Sequence, residues 1–343
     1  MIAIMVRLHR SNADSMKEID VVVIGVPDES NSHAKRKGTS RAPDVLRIAS
    51  NESEFFERGG KLISTCPMRG TFDRKWIFDA GNIPNKQKLR QMVTDIALCG
   101  KLPIMIGGDH SLTTETIQAV SNVIGKKLSL LYFDAHPDFV SSTKNYYGSV
   151  LTDSTKSLNF RKSMLVGTRA AEPEELENAR KVELRIVNPL EIAELGVKRV
   201  AQMIRARTSG SKVYISVDLD CLDPAFAPGV SVPSPGGLSS IDLIYLLNKA
   251  VSAGNVVRCR HDLVNDAVIL GLVGVHVHIA VEVASDLLDA LAGVLRHDLA
   301  HPRLLAKQLA GLDLVQVAPV GRRVDLEHRV RARRRLDAAP LQI

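Results

Sequence analysis

The 343-residue sequence predicts an α/β fold with a mostly parallel sheet, and three observations point there. Short runs of β-branched and aliphatic residues recur along the chain. They are apolar throughout rather than alternating, and helix-like stretches separate them. A strand covered on both faces has no solvent side for polar residues, so an unbroken apolar run of strand length marks a buried strand. Strands and helices in alternation indicate a parallel sheet joined by helical crossovers.

In chain order the strand-like runs are 20–26, 102–106, 128–133, 164–166, 184–187 and 213–217. Between them, 111–125 reads as a helix that starts on a Ser111 cap with Glu115 in its first turns. A second candidate, 172–182, carries Pro173 at its start, where a missing N–H costs nothing. Ligands of such sheets sit outside the carboxyl ends of the strands.

Composition bounds the function. With 45% hydrophobic and 24% charged residues the chain can bury a full core, and one large domain is the simplest organisation. No apolar run approaches the roughly 18 to 20 residues that span a bilayer, and the first sixteen residues lack a signal-peptide core, so we expect a cytoplasmic protein with no membrane partner. Cys66, Cys99, Cys221 and Cys259 show no C-x-x-C spacing, which speaks against a disulfide framework or a thiolate zinc site. Net charge is +7, but the basic residues are dispersed except for Arg329, Arg331 and Arg333 to Arg335. No aromatic residue accompanies that cluster, so it reads as a solvated tail rather than a nucleic-acid platform.

The character of the chain changes near residue 255. From 246 onward there is no Phe, Tyr or Trp, Lys307 is the only Lys after Lys249, and six of the ten His residues lie beyond 255. We therefore divide the chain into an N-terminal extension (1–19), an α/β domain (20–254) and an atypical segment (255–343). The last is an insertion, a second small domain or the product of a shifted reading frame. Met1 and Met16 both stand as natural starts, because the first recognisable strand follows Asp20.

Three segments carry the chemistry: Gly107-Gly108-Asp109-His110-Ser111, Asp134-Ala135-His136-Pro137-Asp138, and Asp218-Leu219-Asp220-Cys221-Leu222-Asp223-Pro224. Each follows an apolar run directly. If extended geometry persists, residues two apart share a side, so Asp134, His136 and Asp138 converge, as do Asp218 and Asp220. With His110 this gathers four carboxylates and two imidazoles at one end of the sheet. Such a cluster needs protons or cations, since like charges raise one another's pKa. Two divalent metals resolve the conflict, and an oxygen-rich donor set without thiolate favours Mn²⁺. Two such ions roughly 3.5–4 Å apart would lower the pKa of a shared water and make it the nucleophile of a hydrolysis. Gly107 and Gly108 are read as allowing a tight turn and close approach to the metal. Asp109 serves either a hydrogen bond to a metal-ligating side chain or simple turn chemistry.

Together these segments resemble the ureohydrolase superfamily of arginases, agmatinases and guanidinobutyrases. The resemblance runs from about Asp20 to Gly237 and includes Ile24-Gly25-Val26-Pro27, the segment from Gly38 to Arg47, Phe78-Asp79-Ala80-Gly81, and Asp218 to Pro228 followed by Gly236-Gly237-Leu238. It implies a three-layer α/β/α sandwich, two Mn²⁺ per subunit, urea as product and a homotrimer or homohexamer. By position, His110, Asp134, Asp138 and Asp218 would hold one ion, and Asp134, His136, Asp218 and Asp220 the other. Asp220 would also orient the nucleophile or take its proton. Asp223 is read as closing its loop.

The resemblance also frames the substrate, a small guanidino compound. Where arginases place a small polar side chain for the α-carboxylate this chain has Val140, which moves agmatine ahead of arginine, with guanidinobutyrate or another guanidino acid ranked between them. Glu172 aligns with an acid that binds the far amine, its alternative being a first-turn acid facing the helix dipole. Tyr147 stands where the family has a proton-shuttling His, and with an ordinary pKa near 10 it is a poor shuttle. Gln316, in the run 311–319 that is a candidate completion of the domain, replaces a Glu that pairs with the guanidinium. Exchanging that charged pair for a neutral bond would cost roughly 1–3 kcal/mol in a dry site. These departures make a catalytically weak, metal-binding homologue with a regulatory or assembly role the alternative of another class.

Overall fold

The structure is a computed structural model that describes residues 19, 21–52, 55–58, 61–64, 77–252, 269–273 and 276–277, with side chains described for 19, 21–48 and 77–250. Gln316, the run 311–319, the Arg329 to Arg335 cluster, Cys66 and Cys259 lie outside the described residues.

Strand β1 (Val21–Gly25) is followed by α1 (Ala42–Glu52), a hairpin of β2 (Phe55–Arg58) and β3 (Lys61–Ser64), then β4 (Ile77–Asn82) and α2 (Lys86–Leu98). Next come β5 (Leu102–Gly107), α3 (Leu112–Ile124), β6 (Ser129–Phe133), α4 (Val150–Asp153), β7 (Met164–Val166), α5 (Pro173–Lys181) and β8 (Arg185–Val187). The chain continues through α6 (Pro189–Leu195), α7 (Val197–Thr208), β9 (Val213–Asp218), α8 (Ser240–Ser252), β10 (Ile269–Val273) and β11 (His276–Val277).

The main sheet runs β4-β1-β5-β10-β9-β6-β7-β8, with β11 added to β5. All pairings along that path are parallel, and only β11 pairs antiparallel. Every residue of β1, β5, β6 and β9 is buried, so both faces of the sheet are covered, as a three-layer α/β/α sandwich requires. The apolar runs of the sequence therefore match the strands to within a residue at either end. Strand β4 differs, because as an edge strand it alternates buried and half-buried positions. The sheet also takes in β10 from beyond residue 254, wedged in register between β5 and β9.

The helices form for ordinary reasons. In α2, Leu89, Val93 and Ile96 recur at helical spacing and are buried, and Asn85 caps the start by accepting from the Lys88 N–H at 2.9 Å. Helix α3 ends on Gly125 in the left-handed region, which satisfies its last carbonyls. Its beginning departs from expectation. Ser111 stands at the N-cap position in helical conformation without capping, because its hydroxyl donates to Asp109 Oδ1 at 2.5 Å.

Sequence-adjacent strands β5 and β6 lie apart in the sheet, separated by β10 and β9. The crevice left where the strand order breaks is where open parallel sheets hold ligands.

Candidate metal centre

Three strand ends deliver the polar cluster. His110 follows β5, Asp134 follows β6, and Asp218 is the last residue of β9. They line a solvent-open cleft with Asp109, His136, Asp138, Asp220 and Tyr147, and with Ser32, Ala34, Thr39, Ser231 and Val232 on its walls.

The condition of extended geometry is not met beyond the strands. Strand β6 stops at Phe133, and Asp138 is brought back by a loop in which its own φ is +49°. Asp tolerates that region better than most residues because its short side chain bonds locally. After β9 the chain tightens into a 3₁₀ turn, Leu219–Cys221, in which the Asp220 N–H donates to Asp218 Oδ1 at 2.8 Å. Turning, rather than strand alternation, makes the carboxylates converge.

Two trios result, each with ligand atoms within 4.8 Å of one another: His110, Asp134 and Asp138, and Asp134, His136 and Asp220. In the first, His110 Nδ1 lies 3.1 Å from Asp134 Oδ2 and 2.9 Å from Asp138 Oδ2. In the second, His136 Nδ1 lies 3.4 Å from Asp134 Oδ1 and 3.1 Å from Asp220 Oδ2. Asp134 is common to both. Asp218 joins neither trio, though its Oδ2 is 3.6 Å from His110 Nδ1.

Electrostatics show what the arrangement demands. Burial, with Asp220 and Asp138 adding to it, pushes Asp134 up to about 6, and burial with Asp220 and Asp134 raises Asp218 as well. For His110 burial acts downward but the Asp134 and Asp138 carboxylates outweigh it, pushing the imidazole up to about 10. His136 is pushed up to about 12 in the same way, against burial, by Asp134 and Asp220. Asp220 is held low despite its burial, chiefly by His136. Asp134 Oδ2 is buried and accepts no well-aligned hydrogen bond among the described residues, its near neighbour being His110 Nδ1 at 3.1 Å. A buried carboxylate shared between two imidazole-carboxylate groups, in a donor set of oxygen and nitrogen, fits a pair of divalent cations.

Residues that the motifs did not reveal hold these donors. Ser216 Oγ lies 3.1 Å from His110 Nε2, leaving Nδ1 to face the carboxylates. Tyr132 stacks on the His110 ring with centroids 4.8 Å apart, and its hydroxyl donates to Asp138 Oδ2 at 2.6 Å. Their signal in the sequence is the pleat, since Tyr132 and Ser216 stand two residues before Asp134 and Asp218.

Tyr147 lies in the cleft wall, where burial and the charge of Asp138 raise its pKa. It meets His33 edge-on, with centroids 5.9 Å apart, and His33 stacks on Tyr146 at 4.9 Å. Glu172 is exposed at the start of α5 and is not among the residues lining the cleft, although its charge reaches Tyr146 and Tyr147. Val140 is buried, and its N–H donates to the Gly148 carbonyl at 3.1 Å. Asp109 bonds Ser111 and the Asn31 N–H, 2.9 Å away, so it ties a turn to a loop rather than bonding a ligand side chain. Gly108 does not serve approach to a metal. A Cβ there would lie 1.7 Å from the Asp28 carbonyl oxygen, so the residue makes room for backbone. Asp223 accepts from the Ala225 and Gly236 N–H groups at 2.9 and 2.7 Å and closes its loop.

Comparison with known proteins places this geometry in context. The profile of the Arginase family matches residues 19–286. Proclavaminate amidinohydrolase of Streptomyces clavuligerus is 35% identical over 246 residues, covering 66% of this chain and 75% of that protein. An agmatinase of Neisseria meningitidis is 28% identical over 232 residues, covering 64% and 71%. Among solved structures, the proclavaminate amidinohydrolase of S. clavuligerus superposes with a TM-score of 0.60 at 27% identity, covering 80% of this chain and 92% of that one.

Proposed function

This chain belongs to the arginase family of hydrolases, and from that premise we propose that it uses two manganese ions to cleave a small guanidino compound, agmatine first, to urea and an amine. The observation that carries the proposal is the pair of trios sharing the buried Asp134. His110, Asp138, Asp134 and Asp218 would hold one ion, and Asp134, Asp218, His136 and Asp220 the other. When bound, the cations supply Lewis acidity to the guanidine and lower the pKa of the attacking water.

The chain's own groups do the rest. Asp220 Oδ1 is engaged by the Ala135 N–H at 3.0 Å and Oδ2 lies 3.1 Å from His136 Nδ1, and in our reading this carboxylate orients the attacking water or takes its proton and passes it to the leaving amine. Tyr147, with its raised pKa, stays protonated at neutral pH and serves as a hydrogen-bond donor rather than a base. Glu172 and Gln316 are our candidates for the substrate's distal amine and guanidinium. We propose a homotrimer or homohexamer, as the family resemblance implies, and a cytoplasmic location.

Agmatine leads because buried Val140 offers no polar group to an α-carboxylate. A guanidino acid is the second reading. Exposed Lys35, Arg36 and Lys37 follow Ala34 of the cleft wall, and the relative at 35% identity is named for a carboxylate.

The deciding experiment measures urea release from manganese-loaded protein with agmatine, guanidinobutyrate and arginine in parallel, beside Asp134→Asn. We expect agmatine to be turned over and the variant to lose at least about a hundredfold, more than loss of a supporting residue brings. Turnover of guanidinobutyrate alone would select the second reading. No urea from any of them, with two ions bound, would overturn the enzyme and leave the regulatory homologue.

A further inference from the structure

We propose that Arg169 is a positioning residue for the half of the metal centre formed by Asp134, His136 and Asp220, and that its guanidinium holds the Asp220 turn in the place where that carboxylate ligates. The inference rests on the two-ion reading of the site.

Arg169 follows β7 in a segment that contributes no ligand. Its side chain is half-buried and spends its donors on backbone carbonyls. Nη2 donates to Asp220 at 2.9 Å, to Leu222 at 3.1 Å and to Ser234. Nη1 donates to Gly167 at 3.1 Å and Cys221 at 3.3 Å, and Nε to Pro235 at 3.0 Å. The carbonyls of 220 to 222 have no partner within the 3₁₀ turn; Cys221 also accepts from the Leu238 N–H at 2.9 Å, and the arginine serves Asp220 and Leu222 on either side of it.

The backbone closes the circuit. The N–H groups of Arg169 and Ala170 both donate to the Ala135 carbonyl at 2.9 Å, and Thr168 Oγ1 donates to the Asp134 carbonyl at 3.1 Å. The Ala135 N–H in turn meets Asp220 Oδ1. Asp134, His136 and Asp220 are thereby fixed to one another through Arg169. His110 and Asp138 receive no hydrogen bond from it and are held by Ser216 and Tyr132 instead.

A planar guanidinium with five donors can span these carbonyls in a fixed fork, whereas an ammonium is a point charge with three. Arg169→Lys therefore keeps the charge and loses the span. Arg207 is a matched control, since it too clasps carbonyls, those of Ser163 and Glu183 at 2.6 Å, on another part of the molecule.

The test is Mn²⁺ titration by calorimetry with electron paramagnetic resonance, which separates an isolated ion from a spin-coupled pair, on the wild type, Arg169→Lys and Arg207→Lys. We expect Arg169→Lys to bind one ion as the wild type does and the second about ten- to a hundredfold more weakly, with the coupled signal returning at high Mn²⁺. Arg207→Lys should keep both affinities whatever its thermal midpoint. Unchanged affinity for both ions, or an equal loss of both, overturns the proposal. A wild type that takes up only one ion overturns the two-ion reading and this proposal with it, which distinguishes the two failures. Should Arg169→Lys not fold, Arg169→Gln replaces it, and failure of both while Arg207→Lys folds assigns Arg169 to the fold as a whole.

Discussion

Ser216 is not among the residues lining the cleft, yet its contact sets which face His110 offers. Its hydroxyl lies 3.1 Å from Nε2 in a fully buried position, and the stacked ring of Tyr132 limits rotation about the other axis. Partners of this kind typically account for ten- to a hundredfold in metal affinity. We therefore expect Ser216→Ala to weaken the first ion by about that factor in calorimetric titration while leaving the second ion nearly untouched. Equal binding in variant and wild type would assign the serine to packing alone. Both supporting residues are legible in the sequence once the strand period is applied backwards from Asp134 and Asp218. The positive φ of Asp138 is not legible, because it reports the path of a loop around its neighbours rather than a preference of Asp.

At the scale of elements, the ligand loops are set by backbone contacts across the sheet. Gly108 is in contact with the Asp28 backbone, and the Asp109 N–H donates to the Asp28 carbonyl at 2.9 Å. Gly108→Ala must push those strands' ends apart. Overpacking of this kind costs about 1–3 kcal/mol or more, and the denaturation midpoint should fall accordingly; an unchanged midpoint would show that the loop yields freely. Helix α5 is tied to the Asp138 loop by Glu175, whose carboxylate accepts from the Phe139 N–H at 3.0 Å and the Glu172 N–H at 2.8 Å. Burial, with the charge of Asp138 adding and the backbone N–H of Glu172 opposing, pushes Glu175 up to about 7 from 4.5. A raised folded pKa means that the stabilisation is complete below 4.5 and lost as pH rises through about 7. Up to about 3 kcal/mol is involved. Wild-type stability should therefore decline between pH 5 and 8 relative to Glu175→Gln in urea denaturation, and parallel curves would refute the assignment. The sequence places Glu175 in a first helical turn; only the approach of the 134–139 loop makes it a tether.

Across the whole molecule, six candidate ligands are gathered at the carboxyl ends of interior strands, and four of them are carboxylates. Without cations that cluster stores repulsion, so chelation should lower the melting temperature, and Mn²⁺ at a hundred times its Kd should add about 2.7 kcal/mol of stability. Melting curves with chelator and with Mn²⁺ test this, and identical curves would argue against any resident metal. Much of this architecture was legible beforehand. An apolar run of strand length is a local record of a strand covered on both faces, so the fold class and its strands could be read residue by residue. The donor types, likewise, are stated outright by the residues after each run. By itself the sequence thus determined an α/β sheet with oxygen and imidazole donors at its strand ends. Tertiary structure alone decided that Asp134 and not Asp218 belongs to both close trios, that Asp220 meets Ala135 from 85 positions away, and that Arg169 clasps the turn between them. Those contacts join residues distant in the chain through turns and crossings of the backbone, and no local pattern of side chains encodes a distance through space.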